Sequence, residues 1–313
     1  MSGGLVECVP NFSEGRRRAV VEQIVAAVNS VDGVKLLDYS MDADHNRSVL
    51  TFVGGAGAVC EAAFRAVATA ARLINMEEHT GEHPRIGAAD VVPFVPLCGT
   101  TMQECVEIAR ELGKRVAGEL GIPVYLYGEA ATRPERKNLA NIRRGQYEGL
   151  KRSIASPERW PDFGAPRLHP TAGATAIGAR DFLVAYNINL ATSDVSIAKK
   201  IAKRVREKDG GLKHVRALGV MLHNRQVAQV TMNLLNFRET PVHEVFNLVK
   251  AEAERYGVSV TGSEIIGLVP LDALLDVASY YLGLEGRGSR VRDHILEARL
   301  WDNVSQDIIS QDT

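Results

Sequence analysis

The stretch HTGEHPR, His79 to Arg85, sets two imidazoles and a carboxylate at the spacing H-x-x-E-H, followed by an arginine. Zinc hydrolases of the inverted type use that spacing, but only on a helix do imidazoles four apart project from one face. Gly81 lies between His79 and His83, and Pro84 pushes His83 out of the α region. The stretch therefore reads as a loop with no metal site. The other chemistry is proton transfer. An imidazole titrates near neutrality, so His83 can take a proton from a nucleophilic amine and return it to a leaving nitrogen. Glu82 supplies an orienting carboxylate and Arg85 a rigid fork for an anion. A histidine that merely satisfies loop carbonyls is the structural counterpart of the same pattern. Three further polar clusters accompany the loop: Glu7 with Asn11, DYSMDADHNR from Asp38 to Arg47, and YGEAA from Tyr127 to Ala131. His45 in the second is also ordinary turn chemistry, and Asp38 and Glu129 are equally suited to capping or pairing. GGAGAV, Gly54 to Val59, lacks both the dinucleotide fingerprint and the Lys-Ser/Thr of a P-loop, so it reads as a tight turn.

The elements that must hold these groups follow from apolar spacing. Strands are expected at Leu5 to Val9, Val34 to Asp38, Ser48 to Val53 and Ala89 to Leu97, and helices at Arg16 to Asn29, with Ser13 as N-cap, and at Gly57 to Met76. The order β-α-β-β-α-β then returns: a strand at Phe182 to Ile188, a helix at Asp194 to Lys208, strands at Val215 to Leu222 and Gln226 to Leu234, a helix at Val242 to Tyr256 and a strand at Val258 to Thr261. Both central strand pairs turn at HNR, His45 to Arg47 and His223 to Arg225. The expected fold is α/β (α+β), with two ferredoxin-like β-α-β-β-α-β lobes, 1–181 and 182–300, each a mixed sheet covered by helices, then a tail at 301–313. The first lobe extends through a helix at Thr101 to Leu120 and a strand at Ile122 to Tyr127. Ser156 to Asp181 holds too many breakers for an ordinary helix or strand, while Trp160 and Phe163 argue against disorder, so it reads as a functional loop.

With 313 residues and a formal net charge of −1, the chain has room for two lobes and no basic tract to hold nucleic acid. No apolar run is long enough for a membrane span, and MSGGLVECVP lacks the features of a signal peptide, so a cytoplasmic protein is expected. Cys8, Cys60, Cys98 and Cys105 form no C-x-x-C pair and read as small buried hydrophobes.

The strings VECVPNFSEG, LLDYSMDADHNRSVLTFVG, GEHPRIGAADVVPFVPL, IPVYLYGEAA, PDFG and GSEIIGLVPLDALL resemble the glutamate formiminotransferase (glutamate formimidoyltransferase) family, from about Leu5 to Leu284. The chain stops at Thr313, so the likeness is to the monofunctional form without the cyclodeaminase domain of animal members. The resemblance implies transfer of the formimino group from N-formimino-L-glutamate to N5 of tetrahydrofolate, a step of histidine breakdown. It implies tetrahydrofolate as co-substrate, small-molecule substrates only, a homodimer and an active site between the lobes. The family's acid-base histidine falls on His83. Its folate segment after PDFG falls on Gly164, Ala165, Pro166, Arg167, Leu168, His169, Pro170, Thr171, Ala172 and Gly173, where animal members carry an aromatic residue that LHPTAG lacks. Gly164 and Gly173 are expected to let backbone approach the ligand. By their chemistry, Arg47 and Arg85, with Glu129, suit the glutamate moiety, and Asp38 and Asn11 suit the pterin edge. Formyl transfer between 5-formyltetrahydrofolate and glutamate is the alternative reaction; a zinc hydrolase using His79 and His83 and a folate-binding protein without catalysis are the remaining readings.

Overall fold

Strand and helix signals along the chain resolve, in a computed structural model that describes residues 4–222, 225–285 and 289–300, into two units, Met1–Asp181 and Phe182–Thr313. In the first, β1 (Leu5–Cys8) and β2 (Asn11–Phe12) are one strand broken at Val9-Pro10, where proline has no N–H for the ladder. α1 (Arg18–Asn29), β3 (Val34–Asp42), β4 (Arg47–Gly55), α2 (Ala56–Leu73) and β5 (Ala89–Pro96) follow. The broken strand lies between β4 and β5, with β3 outside β4, all antiparallel. α3 (Met102–Leu120) is closed by a Thr101–Glu104 capping box at one end and left-handed Gly121 at the other, and it leads to β6 (Val124–Gly128). α4 (Leu139–Ile142) and α5 (Gln146–Ser153) precede β7 (Thr175–Ala179), which inserts between β5 and β6, parallel to both.

α1, α2 and α3 press Ile24, Ala63, Val67 and Leu112 onto Val6, Cys8, Phe12, Leu50, Phe52 and Phe94. The β5-β7-β6 half has a second apolar layer, where Val91, Tyr125, Tyr127 and Ala176 meet Ile142 and Leu150. On the antiparallel half the alternate positions are polar instead: Glu7, Asn11, Asp38, Arg47 and Thr51 occupy the face opposite Val6, Cys8, Leu50 and Phe52.

The second unit contains β8 (Val184–Leu190), α6 (Val195–Val205), β9 (Val215–Leu222), β10 (Val227–Leu234), α7 (Val242–Arg255), β11 (Val260–Ile266) and α8 (Leu271–Leu282). Its sheet runs β11-β8-β10-β9, the same fourth-first-third-second order as β5, β1, β4 and β3. This sheet is antiparallel throughout, so the expectation of a mixed sheet in each lobe holds only for the first, which alone carries the added parallel strands. His223 and Asn224 of the second HNR turn, and the tail at 301–313, lie outside the described residues.

Three local expectations are corrected. Ser13 caps no helix: its hydroxyl donates to the Gly87 carbonyl at 2.7 Å, while the Glu14 carboxylate accepts from the backbone N–H groups of Arg16 and Arg17. The breaker-rich segment holds a central strand after all. In TAIGA every residue is buried, and a side chain on Gly178 would meet the Tyr127 carbonyl at 2.3 Å, so smallness is what lets this strand lie between two apolar layers. Cys98 is exposed, whereas Cys8, Cys60 and Cys105 are buried.

Candidate functional site

Asn46 holds the first unit's polar loops together. Its backbone turns left-handed at φ 47°, a conformation asparagine tolerates well, at the β3–β4 hairpin. The side-chain carbonyl accepts from Gly15 N–H at 2.9 Å, the side-chain amide donates to the Thr80 carbonyl at 2.8 Å, and the backbone carbonyl meets His79 Nε2 at 3.0 Å. Gly15 and Gly81 are glycines because this docking is tight: a side chain at Gly15 would meet the Asp42 carbonyl at 2.1 Å, and one at Gly81 the His45 carbonyl at 2.4 Å. HTGEHPR is thus a loop, seated on the hairpin.

Within it the two histidines have different work. His79 Nδ1 accepts from Arg85 Nε at 3.1 Å, which leaves Nε2 as the donor to Asn46. Both nitrogens are engaged, so His79 braces the loop and has no lone pair for a metal. Burial first, then the Arg85 charge, hold its pKa below the ordinary value against the Asn46 hydrogen bond. Arg85 is 6% exposed, and its five N–H groups go to His79 Nδ1, the His79 carbonyl, Gln146 and both oxygens of Glu148. The expected anion fork is spent inside the protein.

His83 instead enters a basic basin. Desolvation, followed by the charges of Arg47 and Arg143 and by His45, pushes its pKa well below the ordinary imidazole value. The His45 ring stands edge-on to it, centroids 6.2 Å apart, with a buried Nδ1 that has no partner among the described residues. Arg47 is itself desolvated enough, beside Arg143, to be pushed down to about 10 despite Asp42 and Asp90. Arg143, at the end of α4, pairs with buried Asp90. His83 is therefore held toward its neutral form by burial and by the nearby charges of Arg47 and Arg143, the form a proton acceptor needs.

Asn11 and Asp38 lie on the same face as Arg47 by register, Asn11 opposite Val49 and Asp38 opposite Thr51. Glu129 is exposed and pairs with Lys137 at 3.6 Å; among the described residues no hydrogen bond or ion pair joins it to the basin. The segment after PDFG is anchored at both ends. Asp162 accepts from Leu126 N–H, Thr132 and Arg136, and Phe163 packs beneath α3 against Gly113. At the far end Thr171 and Ala172 carbonyls accept from Met76 and Ala88, and Ala174 donates to Ile86, so this segment runs beside the His83 loop. Gly164 to Arg167, Pro170 and Thr171 are exposed, Leu168 and His169 partly so, and Ala172 and Gly173 buried. His169 Nδ1 accepts from Thr171 and Ala172 N–H, which fixes Nε2 as its outward donor. Gly173 is buried against neighbouring backbone, whereas Gly164 is exposed. A side chain on Gly173 (φ 71°) would meet the Ile86 carbonyl at 2.5 Å, and one on Gly164 the Pro123 Cα at 3.2 Å.

Arg143, Asp90, Gln146 and Glu148 were not among the residues marked from sequence. Gln146 and Glu148 lie in α5 and Arg143 caps α4, helices whose eight and four residues are too few for apolar periodicity to announce, while Asp90 is a single carboxylate within the apolar run of β5.

A helix-backed sheet thus carries a desolvated histidine near the charges of Arg47 and Arg143, groups of the kind that proton transfer uses. The chain belongs to the formiminotransferase family. The family's formiminotransferase domain, N-terminal subdomain, matches residues 5–180, and the formiminotransferase domain matches residues 185–296. The glutamate formimidoyltransferase of Thermoplasma acidophilum is 57% identical over 285 residues, 90% of this chain and 93% of that protein. That of Streptococcus pyogenes serotype M1 is 53% identical over 281 residues, 90% and 94% of the two chains. The formimidoyltransferase-cyclodeaminase of Gallus gallus is 47% identical over 287 residues, which is 90% of this chain and 53% of the relative.

Proposed function

We propose that this chain transfers the formimino group of N-formimino-L-glutamate to N5 of tetrahydrofolate, giving 5-formiminotetrahydrofolate and L-glutamate, in histidine degradation. The observation that carries the reading is the match to two glutamate formimidoyltransferases over more than nine-tenths of their length. His83 supplies the chemistry. N5 attacks the formimino carbon and forms a tetrahedral adduct; His83, neutral at rest, takes the proton from N5 and delivers it to the glutamate nitrogen as the carbon–nitrogen bond breaks. Arg47 and Arg143 receive a glutamate carboxylate: Arg143 pairs with Asp90 through one nitrogen and keeps Nε without a partner among the described residues, whereas every N–H of Arg85 is committed. The folate meets Asn11, Asp38 and the accessible stretch from Gly164 to Thr171. No step calls for a metal ion, so turnover is expected to survive exhaustive chelation and dialysis unchanged.

The test is formation of 5-formiminotetrahydrofolate from formiminoglutamate and tetrahydrofolate by the purified protein. No product from that pair, with formylglutamate formed from 5-formyltetrahydrofolate and glutamate, would replace this reaction by formyl transfer. Folate binding without transfer from either donor would leave a binding protein.

A further inference from the structure

Asp90 puts a carboxylate into a strand that is otherwise apolar where it lies. Every residue of β5 from Ala89 to Val95 is buried, Asp90 to 2% exposure, and its neighbours Ala89, Val91 and Val92 belong to apolar clusters. The ladder to β2 slips at this point. Asn11 pairs with Val91 but Phe12 with Ala89, so Asp90 is the extra residue of a β-bulge, opposite no residue of β2. Bulges re-aim a side chain and gather beside functional sites. Here the carboxylate reaches two targets: Oδ1 accepts from the Ile86 N–H at 2.9 Å, three residues after His83, and Oδ2 accepts from Arg143. Taking a carboxylate and a guanidinium out of water is costly, and apolar residues of similar volume often serve stability as well, so stability alone does not account for the pair. Arg143 itself ends α4, whose four residues are too short to hold a guanidinium in place unaided. Its Nε is buried with no partner among the described residues. Asp90 thus grips one nitrogen of the fork and leaves the Nε–H for an acceptor from outside.

We propose that Asp90 is the positioning residue of the basin: one oxygen seats the Arg143 guanidinium for a substrate carboxylate, and the other ties the end of the His83 loop to the same strand. The anion site and the proton-transferring imidazole are thereby both referred to one buried group. A glutamate carboxylate docked on Arg143 then brings the leaving nitrogen to a fixed place relative to His83, which is what orientation contributes to rate. This role rests on the proposed use of formiminoglutamate and names the residue that aims its anchor.

Asp90→Asn separates the two bonds, because its amide oxygen can still accept from the Ile86 N–H while its NH2 cannot accept from Arg143. Calorimetric titration of the full chain with formiminoglutamate, and separately with 5-formyltetrahydrofolate, reads the effect without requiring turnover. Asp90→Asn and Arg143→Ala are each expected to weaken formiminoglutamate about tenfold, and the double variant also about tenfold rather than about a hundredfold, since both changes remove the same seated guanidinium. Affinity for 5-formyltetrahydrofolate should stay within about twofold throughout. Methylguanidinium, added far below denaturing concentrations, should restore formiminoglutamate binding to Arg143→Ala, whose Asp90 can seat it, but not to the double variant. The double variant leaves no buried charge unpaired, so this comparison stands even where Asp90→Asn alone does not fold. Unchanged formiminoglutamate affinity in folded Asp90→Asn, losses that multiply in the double variant, an equal loss of folate affinity, or rescue in both backgrounds or in neither would overturn the role. So would a wild-type chain that binds no formiminoglutamate. A wild-type chain that binds it and shows the coupled loss, yet transfers no group, sinks the proposed reaction and leaves the positioning role standing.

Discussion

His83 draws its usefulness from what surrounds it. A proton acceptor must be neutral, and burial together with Arg47 and Arg143 lowers the pKa of His83, so the ring remains neutral to lower pH than a free imidazole does. The acid limb of kcat/KM, which reports the free enzyme, is therefore expected below the ordinary value of about 6.5. Removing a repelling charge reverses this: Arg47→Met should move the limb upward, and by more than Arg143→Met, since Arg47 is the larger of the two charge effects. Limbs that coincide in wild type and Arg47→Met would show that the guanidinium does not act on the reacting group. A docked carboxylate neutralises the same field, so the limb of kcat, which reports the substrate complex, should lie above that of kcat/KM. His83→Ala should cost about 10²–10⁴ in kcat while folate affinity stays near wild type, because proton transfer contributes little to ground-state binding.

At the scale of elements, close backbone approach decides what a glycine is for. From sequence, Gly173 reads as a place for ligand to come near; in the fold it is the place where Ile86 comes near, in a left-handed conformation that a β-branched residue adopts only under strain. Gly173→Val is therefore expected to lower the thermal midpoint markedly, and in whatever protein stays folded at low temperature the two substrates' KM values should keep their wild-type ratio. A selective rise in the folate KM with normal stability would restore the ligand-facing role. Gly81→Ala should likewise cost about 1–3 kcal/mol of stability through its clash with the His45 carbonyl. These cases mark how far the sequence could be read. The paired β-α-β-β-α-β order was legible because alternating and three-to-four spacing are local properties. The loop character of HTGEHPR followed from Gly81 and Pro84 for the same reason. β7 was hidden because its signal is the absence of bulk, and Arg143 and Glu148 were hidden because a tertiary contact, not spacing, gives each its role. Arg85 was legible as a guanidinium, yet besides His79 its partners, Gln146 and Glu148, lie more than sixty residues away along the chain.

For the molecule as a whole, the imidazoles held neutral carry a stability consequence that falls on one unit. His79, His83 and His169 all have folded-state pKa values below that of a free imidazole, each chiefly through desolvation, and all lie in Met1–Asp181. Below about pH 6.5 the unfolded chain binds protons at these positions before the folded chain does, so unfolding takes up protons and stability falls as the pH is lowered. Each such group removes at most about 1.4 kcal/mol per pH unit, until the folded form titrates as well. Glu14 and Glu148, whose pKa values are lowered by hydrogen bonds and arginine charge, add a second loss only below the ordinary carboxylate range. The two units have separate apolar cores, one set around Phe52 and Phe94 and the other around Ile188 and Val230. Amide exchange, corrected for its intrinsic pH dependence, should thus accelerate between pH 7.5 and 5.5 in β1, β4 and β5 while β8 and β10 hold their protection. His83→Asn, which deletes one of the three titrating rings, should flatten that dependence in the first unit. Equal acceleration in both sheets, or a slope unchanged by His83→Asn, would mean that the histidines are not what the acid attacks.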